Sequence, residues 1–155
     1  MRILAMWLMV TAMLAQAPPA QPPPPPPSTA APARPPMRNI GTMSDLMVKI
    51  LYPASDALFY IETRTPATEA EWTALEGQAL MLAESANLLM LPGRARDQGR
   101  WMADSKLLLD VGADAVAAAR AHDVAAIVAL SDRLEESCTM CHRHYRPGYG
   151  KKPSP

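Results

Sequence analysis

The stretch Cys138-Thr139-Met140-Cys141-His142 decides which fold this sequence can adopt. On an α-helix, Cys138, Cys141 and His142 lie at positions i, i+3 and i+4, so their side chains project from one face. Two cysteines at this spacing, followed directly by a histidine, form the C-x-x-C-H pattern typical of covalent c-type haem attachment. We therefore expect one haem c, held by thioether bonds from both cysteines, with the neutral imidazole of His142 as an axial iron ligand.

Other uses of a cysteine pair are less well supported by the sequence. Cys138 and Cys141 are the only two cysteines in the chain. A zinc site needs further ligands, and besides His142 the chain offers only His122 and His144. A thioredoxin-like redox pair lies where a strand meets a helix, whereas this pair lies deep in a helical pattern. A structural disulfide in a haem-free protein stays as an alternative.

The composition favours helices and gives no sign of several classes of partner. Among 155 residues only 5% are aromatic, whereas alanine, leucine and methionine are abundant. The formal net charge is zero, which does not indicate binding to nucleic acid or to an anionic membrane surface. No set of acid, base and nucleophile stands out, so the sequence does not indicate an enzyme.

The first 17 residues are expected to be an export signal. Arg2 gives a positive start, residues 3–14 are apolar, and Ala15-Gln16-Ala17 is a small-x-small cleavage site. The apolar run is too short to span a bilayer comfortably. Pro18 directly follows the cleavage site and is an awkward substrate for a peptidase, so earlier cleavage or an uncleaved membrane anchor are alternatives. Export predicts the periplasm of a Gram-negative bacterium, a compartment in which c-type haem is attached.

Residues 18–38 form a proline-rich linker that includes an uninterrupted proline run at 22–27. Proline lacks an amide donor, and the segment has little apolar surface to bury. We expect it to be disordered or to form polyproline II structure.

Four amphipathic patterns follow the linker, at about residues 44–62, 68–90, 97–121 and 124–145. The segment Thr68-Glu69-Ala70-Glu71 has the composition of a capping box at the start of the second pattern. No alternating strand pattern appears. Four helices with short connections predict an all-α fold, an antiparallel four-helix bundle over residues 39–147 with haem on the C-terminal helix.

Local signals mark where these helices begin, bend or weaken. Thr42 and Ser44 are the candidate N-caps of the first helix. Pro53 interrupts that helix and removes a backbone hydrogen bond, which predicts a kink or break near Tyr52. Gly112 is expected to be a weak point of the third helix.

The remaining aromatic and histidine residues are assigned structural positions. Trp72 and Trp101 are predicted to fill the core. His122 is expected in the loop before the fourth helix, and His144 is expected to point to solvent. Pro147-Gly148 ends the last helix, and the tail 148–155 is expected to be disordered.

The last helix ends in Cys138-Thr139-Met140-Cys141-His142-Arg143-His144-Tyr145-Arg146, which fits a C-x-x-C-H-x-x-Y-R pattern. A haem motif with this ending, on the last helix of an exported four-helix bundle, resembles the class II cytochromes c, the cytochrome c prime family. The stretches 46–59, 71–72 and 89–93 also resemble a proteobacterial branch of this class. The resemblance covers about residues 39–147 and implies that Arg146 lies near the proximal side of the haem.

The resemblance implies two alternatives for the other side of the iron. In the cytochrome c prime type, a hydrophobic first-helix residue covers a five-coordinate iron that binds NO or CO, and Leu46 is the residue for this role. In a low-spin branch, a first-helix methionine binds the iron. We favour Met47 over Met43 as this ligand, because Met47 lies within the amphipathic face. Core filling is the alternative role for either methionine.

The sequence therefore predicts a periplasmic c-type cytochrome that transfers single electrons, with His142 and Met47 as axial ligands. One alternative is a five-coordinate haem protein that binds NO or CO. Another is a haem-free helical interaction domain with a Cys138–Cys141 disulfide. The redox partner proteins are not identified by the sequence, and a homodimer, frequent in the family, stays open.

Overall fold

The computed structural model of this protein describes residues 38–149, and this part of the chain is all-helical, as a helical bundle requires. The elements in chain order are α1 (Met43–Leu46), a π-helical segment (Met47–Leu51), α2 (Tyr52–Phe59), α3 (Glu69–Leu89), α4 (Arg100–Arg120), α5 (Val124–Ala129) and α6 (Ser131–Tyr145). The predicted signal peptide, the linker up to residue 37 and the tail from residue 150 lie outside the described residues. Within 38–149, no helix is both long and apolar enough to cross a membrane.

Residues 43–59, called the N-terminal helix below, are one continuous helical run that begins at a capping box. The Asp45 amide donates to the Thr42 hydroxyl oxygen at 3.1 Å, and the Thr42 amide donates to the Asp45 carboxylate at 3.0 Å. Thr42, and not Ser44, is therefore the N-cap.

The irregularity expected near Tyr52 is a widened helical turn and not a break. The Tyr52 amide donates to the Met47 carbonyl oxygen, five residues earlier, so the turn before Pro53 is π-helical. Pro53 has no amide hydrogen, and in a regular helix its ring clashes with the carbonyl group four residues earlier. The wider turn accommodates the proline while the helix continues to Phe59.

The predicted capping box at the start of α3 is confirmed. The Glu71 amide donates to the Thr68 hydroxyl oxygen at 3.3 Å, while the Ala67 and Thr68 amides donate to the Glu71 carboxylate at 2.7 and 3.0 Å. These hydrogen bonds, from Ala67 first, lower the pKa of Glu71. They explain why α3 begins within a residue of the predicted position.

One face of α4, called its inner stripe, is buried, and α4 packs closely against α3 at Gly112. The inner stripe consists of Trp101, Leu108, Val111, Ala115 and Ala118. A Cβ atom built on Gly112 lies only 2.8 Å from the Cα atom and 2.9 Å from the backbone nitrogen of Ala83. Gly112 is thus not merely a weak point of α4. Its missing side chain allows the two helix backbones to approach each other.

Gly112→Ala is expected to lower the free energy of unfolding by about 1–3 kcal/mol, because the new methyl group forces α3 and α4 apart. Gly77→Ala is the matched control, since a Cβ at this exposed position of α3 meets nothing within 4 Å. The control should gain about 0.5–1 kcal/mol from the higher helix propensity of alanine. Urea denaturation measures both changes. Equal stabilisation of the two variants would contradict the close approach.

The fourth predicted helix is divided into α5 and α6, which the sequence pattern did not indicate. The Asp123 carboxylate accepts from the Ala126 amide at 2.9 Å and caps α5. The Leu130 amide then donates to the Ile127 carbonyl oxygen at 3.1 Å, only three residues earlier, and this tightened turn separates the helices. Because Ile127 and Leu134 on either side are both buried, the apolar pattern continues through the break.

Candidate functional site

The residues of the C-x-x-C-H motif on α6 line a cavity of about 490 Å³. Cys138, Cys141 and His142 lie on its wall together. The N-terminal helix, α3 and α4 complete the lining. The other lining residues are Met47, Val48, Leu51, Tyr52, Ser55, Leu82, Leu89, Asp104, Ser105, Leu108, Ser137, Arg146 and Tyr149. Most of these side chains are apolar, and the volume falls in the range of cofactor sites.

A second cavity of about 320 Å³ adjoins the same part of α6. The two cavities share five lining residues, which are Met47, Val48, Cys141, His142 and Arg146. The second cavity is further lined by Met43, Ser44, Arg96, Trp101 and Tyr145. Cys141 and His142 therefore border open space in both cavities.

The two motif cysteines are half-buried free thiols. Burial raises the pKa of the Cys141 thiol to about 11, with smaller contributions from the charge of Asp104 and from Cys138. Burial also raises the pKa of Cys138. Cysteines of dithiol oxidoreductases have the opposite shift, toward a reactive thiolate. The environment of this pair therefore does not match a thioredoxin-like redox site.

The imidazole of His142 has an environment that favours its neutral form. Burial, and after it the positive charge of Arg146, lower the pKa of His142. The Tyr149 ring packs edge-on against the imidazole, with the ring centroids 5.0 Å apart. A neutral imidazole beside open space is the state that binds a metal ion.

Three residues of the N-terminal helix were considered for the side of the iron opposite His142, and they differ in whether they line the cavities. Met47 lines both cavities, whereas Met43 lines only the second. Leu46, the residue expected to shield an open iron site, is buried in the core and lines neither cavity. The structure thus brings Met47 and Met43 to the cavities next to His142 and leaves Leu46 away from them.

Arg146 follows α6 and lines both cavities beside His142. Its guanidinium carbon lies 5.8 Å from the centre of the Tyr149 ring. Arg146 thus borders the same open space as His142, and its place at the proximal side of a haem stays a prediction. A guanidinium group at this place can bind a carboxylate of a cavity occupant.

His144 does not point to solvent, which corrects the sequence-based expectation. Its Nδ1 atom lies 2.6 Å from an oxygen of the Asp104 carboxylate on α4, and its side chain is only 23% exposed. His144 follows His142 by two residues and therefore lies on a different face of α6. This face packs against α4. The helical pattern of α6 alone did not indicate this partner.

Tyr145 fixes the end of α6 against the start of α4. Its hydroxyl group donates to the Asp97 carboxylate, and its ring packs edge-on against Trp101 with centroids 4.9 Å apart. Burial first, and then Asp97, raise the pKa of Tyr145 to about 12, so this phenol stays protonated. Trp101 donates from Nε1 to the Leu89 carbonyl oxygen at 2.8 Å, which confirms its predicted place in the core.

His122 lies in the loop between α4 and α5, as predicted, where its φ angle is +54°. Its ring stacks on Trp72 with centroids 4.6 Å apart.

Within residues 38–149, no group of three or more His, Cys, Asp or Glu side chains is placed to hold a metal ion.

Asp104 and Ser105 on α4 are cavity residues that the sequence analysis missed. Both are buried, and the Ser105 hydroxyl has no hydrogen-bond partner among the described residues. A signal was present, because both positions lie three or four residues from Trp101 and from Leu108 on the inner stripe. Two polar residues at inward positions of an amphipathic helix indicate a cavity or a buried polar contact.

Comparison of the chain with protein families, with curated proteins and with solved structures gives no significant match. Function is therefore inferred from the motif on α6 and from the residues that surround it.

Proposed function

We propose that this chain is a periplasmic c-type cytochrome of the class II type, in which an antiparallel four-helix bundle carries one covalent haem on its C-terminal helix. The observation that carries the proposal is the cavity of about 490 Å³ whose wall contains Cys138, Cys141 and His142. These three residues form the C-x-x-C-H pattern of c-type haem attachment.

The residues around the cavity fit a covalently held haem. Two protonated thiols on one helix face are available to form thioether bonds, and a neutral imidazole one residue later is available as the proximal ligand. The mostly apolar walls suit the apolar ring of a haem. Met47 supports the proposed axial pair with His142, because it lines both cavities that His142 borders. Arg146 is the nearby cation for the carboxylate groups of the cofactor.

One-electron transfer is the function that these ligands favour. A bound haem would supply an iron that changes oxidation state by one electron. Two axial ligands would keep the coordination of the iron nearly unchanged during that step. The cavity is lined on one side by Val48 and Tyr52, which are 62% and 67% exposed. An occupant is therefore accessible to a redox partner protein from this side. Neither NO nor CO binding is expected while Met47 occupies the sixth position.

Optical spectra of the purified ferric and ferrous protein, before and after addition of carbon monoxide, test the proposal. The protein is made with haem-maturation machinery so that attachment can occur. A low-spin spectrum with the ferric methionine-sulfur charge-transfer band and no reaction with carbon monoxide is expected. A high-spin spectrum that shifts with carbon monoxide would assign the gas-binding function instead. Protein without haem absorption would contradict both and favour the haem-free domain with a Cys138–Cys141 disulfide.

A further inference from the structure

A hydrogen-bonded pair of side chains, Asp104 and His144, connects α4 to α6 directly beside the haem motif. The Asp104 carboxylate and His144 Nδ1 are 2.6 Å apart, and the Asp104 side chain is only 6% exposed. Asp104 lines the larger cavity together with Cys138 and Cys141, whereas His144 lines neither cavity. The carboxylate is therefore the member of the pair that faces the cavity.

The neighbouring residue makes this part of the cavity wall more polar than the rest. Ser105 is buried, lines the cavity, and its hydroxyl group has no partner among the described residues. Carboxylates are rarely buried, because removing their charge from water is costly even when a partner compensates. Apolar residues at these two inward positions would pack the bundle without that cost. Packing alone therefore does not explain why Asp104 and Ser105 occupy these positions.

We infer that Asp104 lowers the reduction potential of the haem held by Cys138 and Cys141, an inference that rests on the function proposed above. Ferric iron carries one more positive charge than ferrous iron, so a fixed negative charge nearby stabilises the ferric state. The effect is strong where water is excluded, because the effective dielectric constant is low. His144 holds the carboxylate from the far side and keeps it directed at the cavity.

Asp114 provides a matched control for Asp104. Like Asp104, it is an α4 carboxylate paired with a basic side chain of α6, in this case Arg133 at 2.7 Å. The Asp114 and Arg133 side chains are 53% and 52% exposed, and neither lines either of the two cavities described above. Replacing Asp114 thus removes a similar link between α4 and α6 without changing the charge beside the proposed haem.

The midpoint potential of full-length holoprotein, measured by spectroelectrochemistry at one fixed pH, tests the inference. Asp104→Asn should raise the potential above that of the unchanged protein, and Asp114→Asn should shift it much less. His144→Gln keeps a hydrogen-bond donor and leaves the carboxylate in place, so its potential should not rise. This last variant tests the inference even where Asp104→Asn does not fold.

The outcomes separate this inference from the proposed function. Holoprotein in which Asp104→Asn leaves the potential unchanged or lowers it would overturn the role of Asp104 and leave the cytochrome proposal intact. A rise in His144→Gln would also overturn it, because loss of the link between α4 and α6, and not loss of negative charge, would then raise the potential. Absence of covalent haem in the unchanged protein would overturn both proposals.

Discussion

Replacing Cys138 and Cys141 together by alanine is expected to abolish covalent haem attachment completely. The two thiols are the only cysteines in the chain, and both line the cavity that is proposed to hold the cofactor. Without them no side chain is available to form a thioether bond, although His142 can still bind iron. Acid–acetone extraction followed by intact-protein mass spectrometry should give haem-free chain for the double variant and chain plus one haem for the unchanged protein.

Met140→Ala is the matched control for the cysteine double variant. Met140 lies between the two cysteines and lines neither cavity, so its replacement should leave haem attached. Haem that resists extraction from the double variant would contradict covalent attachment through Cys138 and Cys141. An unchanged protein that carries no haem, and whose thiols react with an alkylating agent only after reduction, would instead show the disulfide alternative.

The parts of the fold that the sequence predicted well are those set by local chemistry. The capping box at Thr68 was predicted from a threonine followed three residues later by an acidic residue, and the same pattern at Thr42 distinguishes it from Ser44, the other candidate N-cap of the N-terminal helix. The division of the last helix at Leu130 was missed because one tightened turn leaves the spacing of buried residues nearly unchanged. Pro53 indicated where the first helix is irregular, but a widened turn and a break have the same sequence signal.

In the candidate site, too, some features depend on residue spacing within one helix and others on the packing of two helices. The shared face of Cys138, Cys141 and His142 follows from their spacing on one helix, so the sequence was sufficient to predict it. The pairing of His144 with Asp104 joins residues 40 positions apart on two helices. Only the packing of α4 against α6 determines that contact. The helical pattern of α6 indicated a solvent-facing His144 because it contains no information on what α4 presents there.

The π-helical segment lies where the N-terminal helix borders the cavity. Met47 begins this segment, and its carbonyl oxygen accepts from the Tyr52 amide across the widened turn. Two adjacent pairs, Met47 with Val48 and Leu51 with Tyr52, line the cavity on successive turns. Such single π turns are frequent at functional sites. The wider turn before Pro53 and the cavity-lining residue Met47 thus lie in the same segment of the N-terminal helix.

Met47→Leu is expected to convert the proposed low-spin haem to a high-spin haem that binds carbon monoxide. Leucine is close to methionine in volume, so packing beside the cavity is largely kept, but it has no sulfur atom to bind iron. Loss of the sixth ligand leaves iron held on one side by His142. Optical spectra should lose the ferric methionine-sulfur charge-transfer band and gain the response to carbon monoxide that the unchanged protein lacks.

Met43→Leu is the matched control, because Met43 is also half-buried and lies one helical turn before Met47 on the same helix. Since Met43 lines only the second cavity, this variant should keep the low-spin spectrum. The reverse result, a spin change in Met43→Leu and none in Met47→Leu, would assign the ligand to Met43. A low-spin spectrum retained in both variants and in the double variant with Met43→Leu and Met47→Leu would exclude methionine ligation from the N-terminal helix, since Met43 and Met47 are its only two methionines.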